Sequence, residues 1–233
     1  MSRREMALPR DIRVNAGGVT LDGILRVPPG ASALVVFAHG SGSSRHSPRN
    51  RAVAEYLNEH GLATLLFDLL TSYESQVDAL TKGLRFDIDL LSSRLEGAIE
   101  SVQRERRIRH LPLGLFGAST GAAAALVAAA NRPDSVHAVV SRGGRPDLAG
   151  DALERVTAPT LLIVGERDTP VLDLNRQALE RIAATKRLVV TPNAGHLFEE
   201  PGAMPDVMKH AAEWFSSHLV HGSVADDCIA DRH

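Results

Sequence analysis

The feature that most constrains the fold of this chain is a series of short, uninterrupted apolar runs separated by longer segments with helical periodicity. The runs lie at residues 33–38, 63–67, 113–116, 138–140, 161–164 and 188–190. Such runs are typical of strands buried on both faces, as in parallel sheets covered by helices on either side. Between them, helices are predicted at residues 51–59, 86–105, 121–131, 171–182 and 204–218. The alternation predicts an α/β fold with a mostly parallel sheet.

Two segments that precede this series complete the predicted sheet. Apolar and polar residues alternate at 11–15 and 19–27 around Gly17-Gly18, which is typical of a β-hairpin and brings the sheet to eight strands. Residues 69–85 form the one long strand-to-helix connection, interpreted as a loop beside a pocket, whereas residues 141–157 leave no room for a large cap. We therefore expect a single domain over residues 1–221, followed by a flexible polar tail at 222–233.

Composition excludes several classes of function. The formal net charge is −2 and aromatic residues make up 4% of the chain, so we expect no nucleic-acid partner. The longest apolar run, residues 122–130, is too short to cross a bilayer, and no membrane partner is expected. Cys228 is the only cysteine, which excludes an intrachain disulfide and a cysteine-rich zinc site. We expect a cytoplasmic protein, and the sequence leaves its oligomeric state open.

Residues 117–121 read Gly-Ala-Ser-Thr-Gly and fit the G-x-S-x-G nucleophile elbow. The elbow is a strained turn from a strand into a helix that raises the serine hydroxyl above the sheet. It needs small residues because neighbouring backbone passes close by. The segment has that context, since it follows the predicted strand 113–116 and opens the predicted helix 121–131. A plain Gly-rich turn is the alternative, and the context favours Ser119 as a nucleophile.

A serine nucleophile needs a general base and an acid that orients the base. In an open α/β sheet these partners come from the carboxyl ends of later strands. Asp168 follows the predicted strand 161–164 and His196 follows the last strand, so the chain order is Ser, Asp, His, as expected after a nucleophile elbow. Among the histidines, His196 alone combines this order with this position. Asp147, in the loop after the preceding strand, is the alternative acid.

The third requirement is an oxyanion hole, a pair of backbone N–H groups directed at the developing negative charge. Residues 39–44 read His-Gly-Ser-Gly-Ser-Ser and leave the first buried strand at the correct end of the sheet. The N–H groups of Ser41 and of Thr120, the residue after the nucleophile, are the predicted donors. Gly42 is an alternative to Ser41 and a candidate substrate contact. A phosphate-binding loop is not supported, because the segment contains neither G-x-x-x-x-G-K-[ST] nor G-x-G-x-x-G.

Arginines follow two of the predicted strands, at the carboxyl edge of the sheet near the serine. Arg45 and Arg49 come after the glycines of residues 39–44, and Arg142 and Arg145 follow the strand after the elbow. A forked guanidinium near the serine can pair a substrate carboxylate, and Arg142 is the candidate for that contact. The alternative is a solvated rim or an ion pair with Asp147.

Together these residues resemble the α/β-hydrolase superfamily over nearly the whole chain. The elbow, Asp168, His196 and the loop after His39 carry the resemblance, and residues 39–51 and 67–71 are similar to the small, lidless, dienelactone-hydrolase-like members. The resemblance implies the fold of that superfamily, an eight-stranded and mostly parallel sheet with helices on both faces and no large cap. Dienelactone hydrolases carry a cysteine in place of Ser119, so the resemblance implies their fold and chemistry rather than their substrate.

The predicted function is hydrolysis of small carboxylic esters or lactones through an acyl-enzyme. Ser119 attacks the carbonyl, His196 transfers its proton to the leaving alcohol, and Asp168 holds the imidazole in the required tautomer. No cofactor or metal is expected, because no His, Asp and Glu cluster has ligand spacing. The expected partner is a small-molecule ester. Acyl transfer to another acceptor, including peroxide, and a non-catalytic ligand-binding protein of the same fold remain alternatives.

Overall fold

The computed structural model describes residues 8–220, and its centre is a sheet of eight strands. The strands are β1 (Arg10–Ala16), β2 (Val19–Arg26), β3 (Ala33–Ala38), β4 (Leu62–Phe67), β5 (Leu113–Ala118), β6 (Ala138–Arg142), β7 (Thr160–Gly165) and β8 (Lys186–Thr191). They lie in the order β1-β2-β4-β3-β5-β6-β7-β8. β1 and β2 form an antiparallel hairpin, β2 pairs antiparallel with β4, and β3 to β8 run parallel. The predicted α/β fold with a mostly parallel eight-stranded sheet is confirmed.

Burial explains which strands the sequence marks clearly. Every residue of β3, β4, β5, β6 and β7 is buried, so these strands read as continuous apolar runs. At the edge of the sheet, β8 buries only Val189 and Thr191. The prediction for this strand, residues 188–190, was therefore shorter than the strand itself.

Helices cover both faces of the sheet, as predicted. They are α1 (Pro48–Glu59), α2 (Ser72–Thr81), α3 (Ile88–Arg104), α4 (Thr120–Asn131), α5 (Thr169–Arg181) and α6 (Ala203–Phe215). Apolar residues of α3, α4 and α5 form one core with one face of the sheet, and those of α1 and α6 form a second core with the other face. Within residues 8–220, no helix has both the length and the apolar character needed to cross a bilayer.

The connection at residues 69–85 is a correction to the sequence analysis, because it holds the helix α2 and a short 3-10 turn, Leu84–Phe86, rather than a loop. Thr71 starts α2 with a capping box, in which its hydroxyl accepts from the N–H of Glu74 and the Glu74 carboxylate accepts from the N–H of Thr71. Asp78 is the only buried residue of α2. The helix therefore lacks the apolar stripe by which a helix is recognised in a sequence.

The connection between β6 and β7 is short, and the expected absence of a large cap is confirmed for the described part of the chain. It contains only 3-10 turns within Pro146–Arg155, kinked at Gly150. The predicted polar tail, residues 222–233, lies outside the described residues.

The strand order reverses at β3. From β3 the chain passes to β4 on one side, and after α3 it crosses to β5 on the other side of β3. Ligands of open α/β sheets bind at such a switch point, outside the carboxyl ends of the strands. This rule directs attention to the segments that follow β3 and β5, which are residues 39–44 and Ser119.

Candidate active site

Ser119 occupies a strained turn between β5 and α4. Its backbone has φ 50° and ψ −121°, a conformation that residues other than glycine rarely adopt. Space is also restricted: a Cβ on Gly117 would lie 2.4 Å from the Cα of Ala122, and one on Gly121 would lie 2.3 Å from the carbonyl oxygen of Ala38. The glycines of the motif are therefore required by close backbone approach, which is the geometry expected of a nucleophile elbow.

Asp168 and His196 form a direct hydrogen bond. Asp168 follows β7 and directly precedes α5, and its Oδ2 lies 2.6 Å from Nδ1 of His196. Their side chains differ in exposure, at 13% for the carboxylate and 40% for the imidazole. Because Nδ1 faces the carboxylate, Nε2 is the nitrogen left for proton transfer.

Backbone contacts between the loops after β7 and β8 fix this pair. The N–H of Arg167 donates to the carbonyl of Ala194 at 2.9 Å, and the N–H of Asn193 donates to the carboxylate of Glu166 at 2.8 Å. A Cβ on Gly165 would lie 2.4 Å from the carbonyl oxygen of Ala194. The two loops thus pack directly against each other and hold the carboxylate and the imidazole in register.

Asp147, the alternative acid, has a different partner. Both of its carboxylate oxygens accept from the guanidinium of Arg145, at 2.8 and 2.7 Å. The structure therefore brings Asp168, and not Asp147, to the histidine. It also places Arg145 in the ion pair that the sequence analysis had kept as an alternative.

The imidazole of His196 and the elbow both lie next to the backbone that follows β6. The N–H of Ser119 donates to the carbonyl of Arg142 at 3.2 Å, and a Cβ on the next residue, Gly143, would lie 3.7 Å from Cε1 of His196. Among residues 8–220, the Ser119 hydroxyl has no hydrogen-bond partner. In unliganded sites the contact between nucleophile and base is often long and tightens when substrate binds.

The two predicted oxyanion donors, Ser41 and Thr120, lie side by side. Their hydroxyl oxygens are 3.0 Å apart and form a hydrogen bond, although the residues are 79 positions apart in sequence. A Cβ on Gly40 would lie 3.1 Å from the Cβ of Ser119, so this loop passes directly beside the nucleophile. In the described part of the chain, the backbone N–H groups of Ser41 and Thr120 donate to no protein acceptor. Both are available to an oxyanion.

His39 holds the start of this loop as a neutral imidazole. Its Nε2 accepts from the N–H of Leu69 at 3.0 Å, so Nδ1 carries the proton and donates to the carbonyl of Gly40 at 3.0 Å. Burial lowers the pKa of His39, which the bond to Gly40 and the charge of Asp68 offset only in part. The sequence places His39 at this edge of the sheet but does not show that it positions the loop.

A cavity of about 210 Å³ opens beside Thr120. Residues 39–44 form one wall and α2 with Arg85 forms another. The Nε of Arg85 donates to Oδ2 of Asp78 at 2.7 Å, and its backbone N–H donates to Oδ1 at 3.0 Å. Burial alone would raise the pKa of Asp78, but these bonds from Arg85 outweigh it and the pKa is lowered. The sequence analysis missed both residues, because they lie in the connection interpreted as a loop.

Gly42, the alternative oxyanion donor, lies in the wall of this cavity. It has φ 66°, and a Cβ there would lie 3.1 Å from Nη1 of Arg85. It therefore faces the arginine that closes the cavity.

Arg142 does not line the cavity. It extends from β6 towards α6 on the opposite face of the sheet, where its guanidinium carbon lies 5.9 Å from the centre of the Phe198 ring and its Nη1 lies 4.0 Å from Sδ of Met204. Only 8% of its surface is exposed. Burial, and secondarily the charge of Arg49, lowers the pKa of Arg142 to about 10. The sequence prediction that Arg142 contacts substrate therefore concerns a region separate from the cavity.

Comparisons with known proteins agree with this architecture. A family model described as an alpha/beta hydrolase domain matches residues 31–205. The crystal structure of a dienelactone hydrolase from Anabaena variabilis has 57% sequence identity and a TM-score of 0.91, covering 92% of this chain and 100% of that chain. Est1E from Butyrivibrio proteoclasticus has 17% identity and a TM-score of 0.74, covering 89% of this chain and 98% of that chain. The likeness to Est1E shows the fold alone.

Two curated proteins of Mycobacterium tuberculosis, each named "Putative phosphoribosyl transferase", are 56% identical to this chain over 209 residues. The match covers 90% of this chain and 46% of each relative. The chain thus spans about half the length of the curated relatives it matches.

Proposed function

The chain belongs to the α/β-hydrolase family and is dienelactone-hydrolase-like, and from that premise we propose that it is a serine hydrolase of small carboxylic esters or lactones. The observation that carries the proposal is the 2.6 Å bond between Asp168 and His196, which orients the imidazole beside a strained serine elbow. A strained backbone at a nucleophile is the kind of local cost that functional sites retain.

In the first half of the proposed reaction, the Ser119 hydroxyl attacks the carbonyl carbon of the ester. Nε2 of His196 takes the hydroxyl proton, while Nδ1 keeps its bond to Asp168 and the carboxylate stabilises the imidazolium. The N–H groups of Ser41 and Thr120 donate to the oxyanion of the tetrahedral intermediate. When that intermediate collapses, His196 returns the proton to the leaving alcohol and Ser119 retains the acyl group.

The second half repeats these steps with water as the nucleophile. Nε2 of His196 takes a proton from water, the resulting hydroxide attacks the acyl carbonyl, and the same two N–H groups bind the second oxyanion. Collapse releases the carboxylic acid, and His196 returns the proton to Ser119. The exposed imidazole, at 40%, gives water direct access to this position.

The size of the cavity supports a small acyl group. A volume of about 210 Å³ lies below the range typical of sites for drug-sized ligands. No large cap adds further apolar wall within residues 8–220, so a long acyl chain would find little surface against which to bury itself. We expect esters with about two to six acyl carbons to be preferred over long-chain esters.

The activity named for the mycobacterial relatives, phosphoribosyl transfer, is not proposed for this chain. Less than half of each relative corresponds to it, and the bond between Asp168 and His196 together with the strained turn at Ser119 supports acyl chemistry instead. We therefore propose no phosphoribosyl transfer by this chain alone.

Two measurements on purified protein test the proposal. A fluorophosphonate probe should label the wild type at Ser119, and p-nitrophenyl esters of increasing acyl length should be hydrolysed with a preference for short chains. Asp168→Asn should slow ester hydrolysis. Asp147→Asn is its matched control, because both residues are carboxylates that follow neighbouring strands. Absence of labelling, or labelling that persists in Ser119→Ala, would remove the proposal.

A further inference from the structure

Arg142 is a buried positive charge without a negative partner. It is more than nine-tenths buried, and no carboxylate of residues 8–220 lies within ion-pair distance of its guanidinium. Its Nε is buried without a hydrogen-bond acceptor, and among the described residues its side chain donates only to the weak acceptor Sδ of Met204, at 4.0 Å. The ring of Phe198 offers a cation–π contact at 5.9 Å, near the limit of that interaction.

A second charge of the same sign acts on Arg142. Arg49, in the first turn of α1, lies close enough to lower the pKa of Arg142. Its own Nε is also buried without an acceptor, and its Nη1 donates to Glu199 at 3.2 Å. The first turn of α1 contains no acidic side chain, so the positive end of the helix dipole adds to the two guanidinium charges.

The acidic side chains of the loop after β8 do not neutralise Arg142. Glu199 is 68% exposed and is paired with Arg49, while Oε1 of Glu200 accepts from the N–H of Gly195 at 2.9 Å. A charge buried without a partner is strongly unfavourable, because it has lost its hydration and gained nothing in return. Arg142 is in this condition, and the forked donors of a guanidinium match the geometry of a carboxylate or a phosphate.

We propose that Arg142 and Arg49 form a subsite for an oxyanionic group, a carboxylate or a phosphate, carried by the substrate. The inference rests on the proposed function, which it deepens by assigning a substrate class. The subsite is separate from the cavity beside Thr120 and lies on the α1 and α6 side of Ser119. Arg49, with 36% of its side chain exposed, opens it to solvent.

The position of the subsite relative to the reacting atoms supports this assignment. The carbonyl of Arg142 accepts from the N–H of Ser119, and the guanidinium lies beside Phe198, two residues after His196. A Cβ on Gly143 would lie 3.3 Å from both the Phe198 ring and the carbonyl oxygen of His196, so arginine, aromatic ring and imidazole share one wall. An ester can thus place its acyl group in the cavity and an anionic leaving group against the arginines.

The first experiment measures binding without turnover. Inorganic phosphate and succinate are added to Ser119→Ala at constant ionic strength, with chloride as the reference, and the melting temperature is followed. We expect a rise of about 3 °C or more at tenfold excess over Kd. Comparing the rise in phosphate with the rise in succinate shows whether the subsite prefers a phosphate or a carboxylate. The rise in melting temperature should vanish when Arg142→Met is added to Ser119→Ala. It should persist when Arg145→Met is added instead, because the guanidinium of Arg145 already donates to both carboxylate oxygens of Asp147.

The second experiment measures selectivity. Wild type should hydrolyse an ester with an anionic leaving group with a KM about tenfold or more below that of its neutral analogue, and Arg142→Met should remove the difference with little change in kcat. Arg142→Met should also melt at the same or a higher temperature without anion, because an unpaired charge is replaced by an apolar chain of similar length.

The outcomes separate this inference from the proposed function. Anion binding that depends on Arg142, without ester hydrolysis, would support the subsite and contradict the proposed reaction. Ester hydrolysis without anion stabilisation or charge preference would overturn the subsite alone. A lowered melting temperature of Arg142→Met, with equal loss of kcat on both esters, would also overturn it and assign Arg142 to the framework.

Discussion

The arginines on the two sides of Ser119 differ in what neutralises them. On the cavity side, Asp78 binds the guanidinium of Arg85 through its side chain and its carbonyl, and Asp68 pairs with Arg45. On the opposite side, which we call the arginine side, Arg142 has no carboxylate partner among the described residues. The two sides therefore differ in whether their arginines are neutralised within the protein.

This difference indicates what each side does. A paired arginine gives its forked donors to the protein and shapes a wall, as Arg85 does for the cavity. An unpaired and buried arginine keeps those donors for a ligand, and the fold loses stability by holding it there. The cavity side is therefore formed by the protein alone, whereas on the proposal above the arginine side would be completed by a bound anion.

The largest expected effect concerns the residue that both sides share. Ser119→Ala should lower kcat on short esters by about 10⁵- to 10⁶-fold, because the nucleophile is absent, while the oxyanion donors and both walls stay in place. Ester assays measure the loss, and circular dichroism with the melting temperature verifies the fold. A folded variant with near-normal turnover would contradict the assignment of Ser119.

The next largest effect distinguishes the two carboxylates that follow β6 and β7. Asp168→Asn should lower kcat by about 10³- to 10⁴-fold, because an amide favours the wrong tautomer of His196. Asp147→Asn should change kcat by less than about threefold, since its partner Arg145 takes no part in the chemistry. If Asp147→Asn lost far more activity than Asp168→Asn in the same assay, the acid of the site would be Asp147, after β6.

The stability of the two sides gives the most direct test of the comparison. Asp78→Asn should lower the free energy of unfolding by about 2 kcal/mol, because it leaves the partly buried Arg85 without its counter-charge. Arg142→Met should change it by less than about 1 kcal/mol or raise it. Urea unfolding measures both values. Equal destabilisation by the two substitutions would show that pairing does not distinguish the sides.

The smallest expected effect is the pH dependence of the wall that contains His39. Burial lowers its pKa, so the unfolded chain binds more protons than the folded one as the pH falls below the usual value near 6.5. The contribution of neutral His39 to stability is complete above that value and is lost as the pH falls towards the lowered pKa.

Replacement by glutamine isolates this contribution. His39→Gln should flatten the decline of the melting temperature between pH 7 and pH 5. His218, whose pKa burial also lowers, requires a parallel His218→Gln variant as the control. If the decline of the melting temperature were unchanged in His39→Gln but flattened in His218→Gln, the pH dependence would come from His218 and not from His39.

The sequence predicts the framework and the candidate catalytic positions because both follow from local rules. Continuous apolar runs mark strands buried on both faces, and a Gly-x-Ser-x-Gly segment between a strand and a helix marks Ser119. The rule that ligands bind at the carboxyl ends of parallel strands then selects the segments that contain Asp168 and His196. These inferences need only the order of elements.

The walls around the serine could not be predicted in the same way. The partnership of Asp78 with Arg85 depends on α2, whose residues are almost all exposed and give no helical stripe. The direction of Arg142 depends on strand parity, because it shares a face with Val140 and therefore points towards α6 rather than the cavity. Among residues 8–220, the lack of a carboxylate beside Arg142 depends on how β6, α1 and α6 pack together. The sequence of any one of these segments does not show it.

The sparse burial of α2 has a consequence for how the specificity of this chain can change. Ser75 and Ala79 line the cavity and are also exposed, whereas α2 is held by the bonds between Asp78 and Arg85 and by the ion pair of Glu74 with Arg94 of α3. Substitutions at the two lining positions therefore alter the shape of the cavity, the proposed acyl pocket, without disturbing either hydrophobic core. Such a wall can diverge quickly among descendants of one ancestor, and it is the segment that a directed-evolution library for new acyl groups would vary first.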